Sequence, residues 1–203
     1  MNQQELFAEM REYAAAERIP IMEEDGMLFC ADLVRESAYK EILEVGTAIA
    51  YWSMQIASLR DDIHITTLER DVDRYKKAQD YLAMSELNQQ VNSVLIDAKD
   101  FQCDRNYDLI FLDAAKAQNE PFFYKFAPYL NDNGIVIVDN MFFHGFVEHF
   151  DELQAHRRNL RHMVGKIIKF KERIMHDENF ECEELSIGDG ILIIRPKKPR
   201  STF

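Results

Sequence analysis

The stretch that decides the fold is Leu43 to Met54, "LEVGTAIAYWSM". An apolar segment that carries the acid Glu44 runs into the lone Gly46, and a helix-like segment follows. Glycine has no Cβ, so the chain can turn tightly at Gly46 and bring its backbone close to a ligand. Many ordinary strand-to-helix turns also contain a glycine, so Gly46 alone leaves both a binding loop and a simple turn open.

The rest of the chain repeats this unit of an apolar strand followed by a helix. Helical patterns at Ile49–Leu59, Val72–Met84 and Pro121–Leu130 separate the strands, and parallel strands need such crossovers. Residues 181–196 consist of "ECEELSI", a "GDG" turn and "ILIIRP", which predicts an antiparallel hairpin. We therefore predict an α/β fold, a Rossmann-like doubly wound, mostly parallel seven-stranded sheet with a C-terminal antiparallel hairpin. The five strands before the hairpin are "EILEV" at 41, "IHITTLE" at 63, "VNSVLI" at 91, "YDLIFLD" at 107 and "GIVIVDN" at 134.

The length of 203 residues suits one α/β domain over residues 1–203. Hydrophobic periodicity predicts N-terminal helices that cover the site within residues 1–40, and a long basic helix after the last parallel strand. The predicted segments are helices at Gln4–Glu17 and Met27–Tyr39, a break between them at Gly26, and a helix over 147–175.

The composition argues against several classes of protein. No uncharged apolar run is long enough to span a bilayer, so we expect no membrane partner. The polar N-terminus lacks the basic-then-apolar pattern of a secretory signal, which favours the cytoplasm. A net charge of -12 argues against a general nucleic-acid coat protein, although it leaves a local basic patch open.

A second acid sharpens the interpretation of Gly46. Glu69 ends the second strand about twenty residues later, where dinucleotide and S-adenosylmethionine sites hold a ribose diol. A dinucleotide loop needs two further glycines so that the pyrophosphate can reach the helix N-terminus, and "GTAIAY" has neither. The pattern therefore favours a cofactor without phosphates, such as S-adenosylmethionine.

Oxygen-bearing side chains follow two successive strands further along the chain. Asp113 ends one strand, and Asp139 and Asn140 end the next. If these strands are neighbours, about 4.8 Å apart, the three side chains could bind one ion. Two carboxylates and an amide oxygen suit Mg²⁺ or another hard divalent cation. A single strand-end acid often caps a helix instead, but three donors favour the metal.

Lys116 lies three residues after Asp113, close enough to face the same ion. A lysine beside a cation loses its proton more readily and can serve as a general base. A solvated surface lysine fits the spacing equally well.

A basic stretch lies near the C-terminus, from His156 to Arg173. As a helix it would place Arg157, Arg158 and Arg161 on roughly one side. This concentration of cations in an acidic chain suggests contact with phosphates, and a solvated basic face is the alternative.

Several motifs together resemble the metal-dependent class I O-methyltransferases of the catechol and caffeoyl-CoA type. They are "EILEVGTAIAYWS", "TLERD", "YDLIFLDAAKAQ", "GIVIVDNMFFHG" and "IGDGILI". A narrower set is similar to the bacterial tRNA 5-hydroxyuridine methyltransferases: "IPIMEEDGM", "RRNLRHMVGKI" and "SIGDG". The resemblance extends over nearly the whole chain, from Ile19 to Ile194.

The resemblance implies roles for the residues that match it. It implies a homodimer that uses S-adenosylmethionine and Mg²⁺ to methylate 5-hydroxyuridine at the tRNA wobble position. The cofactor would be bound by Met22, Glu44, Gly46, Thr47, Trp52, Glu69, Asp97 and Asp113. Asp113, Asp139 and Asn140 would bind the metal, Asp113 and Lys116 would be catalytic, and Arg157, Arg158 and Arg161 would bind tRNA.

The opening stretch departs from the family. Ala50 stands where relatives have glycine, and we expect it to cost little if its φ is negative, as in the first turn of a helix. Trp52 replaces a small hydroxyl residue and would either repack over the cofactor or obstruct it. Two alternatives therefore stay open: a catechol-type enzyme acting on a small hydroxylated aromatic substrate, and a non-catalytic, degenerate S-adenosylmethionine-binding protein.

Overall fold

The computed structural model describes residues 2–113, 116–153 and 158–197. The chain divides into two compact units, Met1–Asp104 and Arg105–Phe203. The assignment of residues 1–203 to a single methyltransferase domain stays a prediction.

The first unit combines three parallel strands with four helices. Its strands lie in the order β3-β2-β1, and the register pairs Val45 with Leu68 and Glu69 with Leu95. The carboxyl ends of the three strands therefore lie at one edge. The elements are α1 (Gln3–Glu17), α2 (Glu24–Glu36), β1 (Glu41–Val45), α3 (Tyr51–Ala57), β2 (His64–Glu69), α4 (Val72–Ala83), a 3-10 helix (Leu87–Gln89) and β3 (Val91–Leu95).

The second unit combines parallel and antiparallel pairing, in the order β4-β5-β7-β6. Strands β4 and β5 are parallel, whereas β7 is antiparallel to both of its neighbours. Phe123 packs against Phe170 and Phe180, which joins two helices to the hairpin. The elements are β4 (Tyr107–Leu112), α5 (Asn119–Phe126), β5 (Leu130–Val138), α6 (Arg158–Met175), β6 (Phe180–Leu185) and β7 (Ile191–Pro196), with 3-10 helices at Lys116–Gln118, Ala127–Tyr129 and Phe150–Glu152.

The predicted fold class is confirmed. The seven strands form a mostly parallel sheet of order β3-β2-β1-β4-β5-β7-β6, and the last two strands form the antiparallel hairpin. Across the part of the chain that the structure describes, no helix is both long and apolar enough to cross a membrane.

The predicted break at Gly26 is wrong, because α2 begins at Glu24 and includes this glycine. A Cβ at position 26 would lie 3.2 Å from Cγ of Met22, so the missing side chain makes room for Met22. Gly26 therefore lets the Met22 side chain pack closely against α2. The helix ends at Glu36, three residues before the predicted end.

The prediction of one helix over 147–175 is also wrong in its first part, because α6 begins at Arg158. Residues 147–153 form turns and the 3-10 helix Phe150–Glu152. The guanidinium of Arg161 donates hydrogen bonds to the carbonyls of Phe150 and Leu153. These bonds give the two carbonyls a donor outside a continuous α-helix.

Candidate functional site

The β1–α3 loop, residues 46–50, lies against the end of β2. Gly46 has a φ of 111°, and its N–H donates to the carbonyl of Leu68 at 3.0 Å. The N–H of Ala48 donates to Oε2 of Glu69 at 2.9 Å. The structure thus brings Gly46 and Glu69 together at one edge of the sheet, and their contact with a cofactor stays a prediction.

Glu69 is held by several backbone donors. Its Oε1 accepts hydrogen bonds from the N–H groups of Arg70 at 2.9 Å and Asp71 at 2.8 Å. The residue is only 7% exposed. These bonds, together with the one from Ala48, fix the carboxylate in one orientation at the end of β2.

A buried polar network lies beneath the β1–α3 loop. The carboxylate of Glu44 accepts hydrogen bonds from the hydroxyls of Ser53 and Thr67. The hydroxyls of Thr67 and Thr47 are 2.6 Å apart, and since Thr67 gives its single proton to Glu44, Thr47 is the donor of this bond. All four residues are buried, so the bonds offset the cost of removing these groups from water.

This network gives Glu44 and Thr47 a supporting position. Both were predicted to bind the cofactor, and their described contacts hold the loop from below. Gly46 and Ala48 are the half-buried positions of the loop, while Thr47 and Ala50 are buried. A direct cofactor contact of Glu44 or Thr47 stays a prediction.

The loop contains two alanines with left-handed backbone. Ala48 has a φ of 47° and Ala50 a φ of 66°. The condition under which Ala50 would cost little, a negative φ, is therefore not met, because Ala50 is the N-cap residue of α3 and lies outside its first turn. A residue with a Cβ pays roughly 1 kcal/mol for this conformation, which glycine adopts freely. The loop thus keeps its bend with alanine at both of these positions.

Trp52 and Met22 are buried in the first unit. Trp52 lies in the first turn of α3 and is 4% exposed. Met22 packs against Gly26, and its Sδ lies 4.0 Å from the Sγ donor of Cys30. Both side chains therefore contribute to the core, and the cofactor contacts predicted for them stay predictions.

Asp97 lies beyond the end of β3, which is paired with β2 up to Glu69 and Leu95. The N–H of Lys99 donates to Oδ1 of Asp97 at 3.0 Å, and Nζ of Lys99 lies 3.4 Å from Oδ2. The backbone hydrogen bond from Lys99 is the main reason that the pKa of Asp97 is lowered. Asp97 therefore offers a charged acceptor at the same edge as Glu69, and its role toward the adenine stays a prediction.

Asp113 and Asp139 follow paired residues of neighbouring strands. Leu112 of β4 is in register with Val138 of β5, and the N–H of Asp139 donates to the carbonyl of Leu112 at 3.2 Å. Asp139 is 4% exposed, and its Oδ1 accepts a hydrogen bond from the N–H of Asn140 at 2.7 Å. The structure thus brings the predicted metal-binding residues together where the two parallel strands end.

The chemistry of these donors fits a hard cation. Within the described ranges there is no group of three or more His, Cys, Asp and Glu side chains arranged for a metal. The set of Asp113, Asp139 and Asn140 has two carboxylates and an amide oxygen, which leaves positions for water and substrate on Mg²⁺. Metal binding by this set stays a prediction.

Lys116 begins the 3-10 helix Lys116–Gln118. Residues 114–115 and the side chain of Lys116 lie outside the described part of the chain. The role of Lys116 as a general base therefore stays a prediction.

The predicted tRNA-binding arginines differ in their positions. Arg157 lies outside the described residues, and Arg158 is exposed at the start of α6. Arg161 stacks on the ring of Phe150, 4.7 Å from its centroid, and donates to the carbonyl of Leu153. Arg161 therefore anchors the segment before α6, and tRNA binding by these arginines stays a prediction.

Ser53 and Thr67 also support the loop, and neither is among the residues predicted from the sequence. A signal was present in β2, where the pair "TT" interrupts an otherwise apolar run. Because side chains alternate between the two faces of a strand, only one of these threonines could face the loop.

Comparison with known proteins identifies the family. Residues 1–197 match the family described as O-methyltransferase. The chain belongs to this O-methyltransferase family. The prediction of an S-adenosylmethionine-dependent O-methyltransferase of the caffeoyl-CoA type is confirmed at that level.

Curated relatives of this O-methyltransferase include plant proteins. It is 26% identical to the Tapetum-specific methyltransferase 1 of Arabidopsis thaliana over 96% of its own length and 87% of the relative's. It is 24% identical to the caffeoyl-CoA O-methyltransferase of Populus kitakamiensis over 93% and 83% of the two chains.

Solved structures of similar proteins share the fold. A Staphylococcus aureus structure, named as a candidate caffeoyl-CoA O-methyltransferase, is 37% identical with a TM-score of 0.88, covering 94% of this O-methyltransferase and 91% of that chain. An O-methyltransferase from Bacillus cereus, solved in complex with SAH, is 23% identical with a TM-score of 0.81, and the coverage is 97% and 93%.

Proposed function

We propose that this O-methyltransferase transfers a methyl group from S-adenosylmethionine to the hydroxyl of 5-hydroxyuridine at the tRNA wobble position. The reaction would depend on Mg²⁺ or another hard divalent cation. The single observation that favours a tRNA substrate is a row of exposed cations along α6. The motifs "IPIMEEDGM" and "RRNLRHMVGKI" add the resemblance to tRNA methyltransferases.

The α6 cation stripe consists of Arg158, Lys166 and Lys169, with His162 between them. All four side chains are exposed. Their spacing of four, four and three residues keeps them on one face, over about 16 Å of helix. Among the described residues, neither lysine nor Arg158 forms an ion pair, whereas Lys171 pairs with Glu184. The opposite face is buried and consists of Val164, Ile167, Phe170 and Ile174.

The stripe suits a long polyanion. In a chain with a net charge of -12, a row of exposed cations is a local exception. A nucleic acid offers a phosphate at each nucleotide, so several cations of the stripe can be neutralised together. Lys166 and Lys169 join Arg158 as proposed tRNA contacts, while the guanidinium of Arg161 is engaged with Phe150 and Leu153.

The proposed chemistry uses both sets of strand-end residues. In the first unit, Gly46, Glu69 and Asp97 would bind the cofactor, whose sulfonium supplies the methyl group. In the second unit, Asp113, Asp139 and Asn140 would hold the cation, which lowers the pKa of a substrate hydroxyl. Nζ of Lys116 would accept the hydroxyl proton before the oxygen attacks the methyl carbon.

The proposal includes the cellular setting. A tRNA substrate is consistent with the cytoplasm, and the family resemblance supports a homodimer.

A second candidate is methylation of a small hydroxylated aromatic substrate. The observation that favours it is the name of two of the similar proteins, caffeoyl-CoA O-methyltransferase. The phosphates of an acyl-CoA could also use one or two cations of the stripe. The metal and the base would act in the same way on a catechol hydroxyl.

Mass spectrometry of tRNA nucleosides separates the candidates in the cell. Deleting the gene should remove the methylated form of 5-hydroxyuridine and leave the unmethylated nucleoside to accumulate. Restoring the wild-type gene should reverse this change, and a gene carrying Asp139→Asn should not. An unchanged nucleoside profile after deletion would contradict the tRNA proposal and leave the small-molecule candidate.

A further inference from the structure

The loop after β5 has an unusual backbone. It comprises residues 140–146 and is named the β5 loop. Asn140, Phe143 and His144 have φ values of 58°, 48° and 55°, and Gly145 has 76°. Left-handed backbone at three non-glycine residues costs free energy, so other parts of the structure must hold the loop in this form.

The turn between β6 and β7 supplies the hydrogen bonds that hold the β5 loop. The N–H of Met141 donates to the carbonyl of Gly190 at 2.9 Å, and the N–H of Phe142 donates to the carbonyl of Asp189 at 2.8 Å. The N–H of His144 donates to Oδ1 of Asp189 at 2.6 Å. Asp189 therefore contacts the loop through both its backbone and its side chain.

The carboxylate of Asp189 is well placed for this contact. Its side chain is 8% exposed, whereas that of His144 is 71% exposed. Its second oxygen, Oδ2, lies 3.5 Å from Nδ1 of His144. A buried acceptor that meets a backbone N–H fixes the loop more firmly than a solvated one.

Gly190 lets the turn approach the loop closely. An added Cβ would lie 2.7 Å from Cγ of Phe142, and the φ of 87° at Gly190 also disfavours any other residue. The turn and the loop are therefore packed directly against each other, starting one residue after Asn140.

We propose that Asp189 is a positioning residue for the metal ligand Asn140. By binding the N–H of His144, Asp189 holds the β5 loop in its left-handed form and fixes the backbone on which Asn140 is carried. This inference rests on the proposed role of Asn140 as a metal ligand. Residues that orient metal ligands typically contribute 10- to 100-fold to metal affinity.

Calorimetric titration with Mg²⁺ and Mn²⁺ tests the inference without using activity. Asp189→Ala should weaken cation binding by roughly tenfold or more, because the His144 N–H loses its acceptor. Asp189→Asn keeps an oxygen acceptor and should bind the cation within about threefold of wild type. Equal affinity for wild type and Asp189→Ala would overturn the inference, and so would equal losses in the Ala and Asn variants.

Asp177→Ala is the matched control. Oδ1 of Asp177 also accepts a backbone N–H in a turn, from Asn179 at 2.9 Å, but at the opposite end of β6. This variant also removes the acceptor of a turn N–H and should keep wild-type cation affinity. A loss as large as that of Asp189→Ala would show a general effect of stability and overturn the inference.

A further variant separates this inference from the proposed function. If wild type binds a cation and Asp139→Asn does not, while Asp189→Ala binds normally, only the positioning role fails. If wild-type protein binds neither Mg²⁺ nor Mn²⁺, both the metal in the proposed function and the positioning role are contradicted.

Discussion

The two loops at the strand ends are held in different ways. In the first unit, the β1–α3 loop rests on side chains: Glu69 binds the N–H of Ala48, and Glu44 binds Ser53 and Thr67. In the second unit, the β5 loop is held by the β6–β7 turn, with Asp189 bonded to His144. The first loop is thus supported from within its own strands, and the second from a distant turn.

Because of this difference, we expect mutations in the two regions to affect different properties of the protein. Glu44, under the β1–α3 loop, is buried among hydroxyls, so substitutions in its network should cost stability first. The acids before the β5 loop have a donor set suited to a cation, so substitutions there should cost activity first.

The largest expected effect is that of Asp139→Asn. The amide keeps an oxygen for the N–H of Asn140 but removes the charge that a divalent cation requires. Methyl transfer should fall by about 10³-fold or more, while the melting temperature changes little.

The control is Asp108→Asn at the other end of β4, where Asp108 accepts a hydrogen bond from Asn131 at 2.7 Å. It should retain wild-type methyl transfer. Normal methyl transfer by Asp139→Asn in chelator-treated buffer would contradict the proposed metal dependence of the reaction.

A charge reversal on α6 should have the next largest effect. Lys166→Glu should weaken tRNA binding by roughly tenfold. It should also make the slope of log affinity against log salt concentration shallower, by the release of about one counterion. Transfer to a catechol should be unchanged. Filter binding at several salt concentrations measures both quantities.

Lys76→Glu supplies the matched control, since Lys76 is exposed on α4 and the substitution changes the net charge equally. If both variants lost tRNA affinity to the same extent, net charge rather than the α6 cation stripe would explain binding.

Thr67→Val tests the network of the first unit. The substitution keeps the shape of the side chain but removes the hydroxyl that joins Glu44 and Thr47. The free energy of unfolding should fall by about 1–3 kcal/mol, because buried polar groups lose their partner. Chemical denaturation measures the change.

Thr66→Val is the comparison, since Thr66 is the preceding residue of β2, is half-buried and lies outside the network. It should change stability by less than about 0.5 kcal/mol. Equal effects at positions 66 and 67 would mean that the network does not support the loop.

The smallest expected effect concerns the left-handed alanines. Ala48→Gly should raise the free energy of unfolding by about 0.5–1 kcal/mol, because glycine adopts a positive φ without strain. Ala16→Gly, at an exposed position inside α1, should lower it by a similar amount. Chemical denaturation measures both changes. If Ala48→Gly also lowered the free energy of unfolding, backbone strain at Ala48 would be contradicted.

Local signals explain what could be predicted from the sequence. Apolar runs predicted the strands. Glu69, Asp113 and Asp139 could be predicted as site residues because they follow the ends of parallel strands, where ligands bind. The positive φ of Ala50 could not be predicted, since it depends on how the loop meets Glu69 and the underlying network.

Contacts between distant residues explain what was missed. Asp189 lies 45 residues from His144, and nothing in "IGDGILI" indicates this bond. The tRNA contact of Arg161 stays a prediction, and its charge alone does not indicate that its guanidinium also bonds the carbonyls of Phe150 and Leu153. Such hydrogen-bond partners depend on the tertiary positions of the turns, which the sequence pattern does not give.

Single-turnover methyl transfer with purified protein tests the central claim most directly. The protein would be mixed with labelled S-adenosylmethionine and Mg²⁺, together with either 5-hydroxyuridine-containing tRNA or caffeoyl-CoA. The account predicts that the label enters the tRNA, that chelation abolishes the transfer, and that Lys166→Glu slows it. Rapid transfer to caffeoyl-CoA with no label in the tRNA would contradict it.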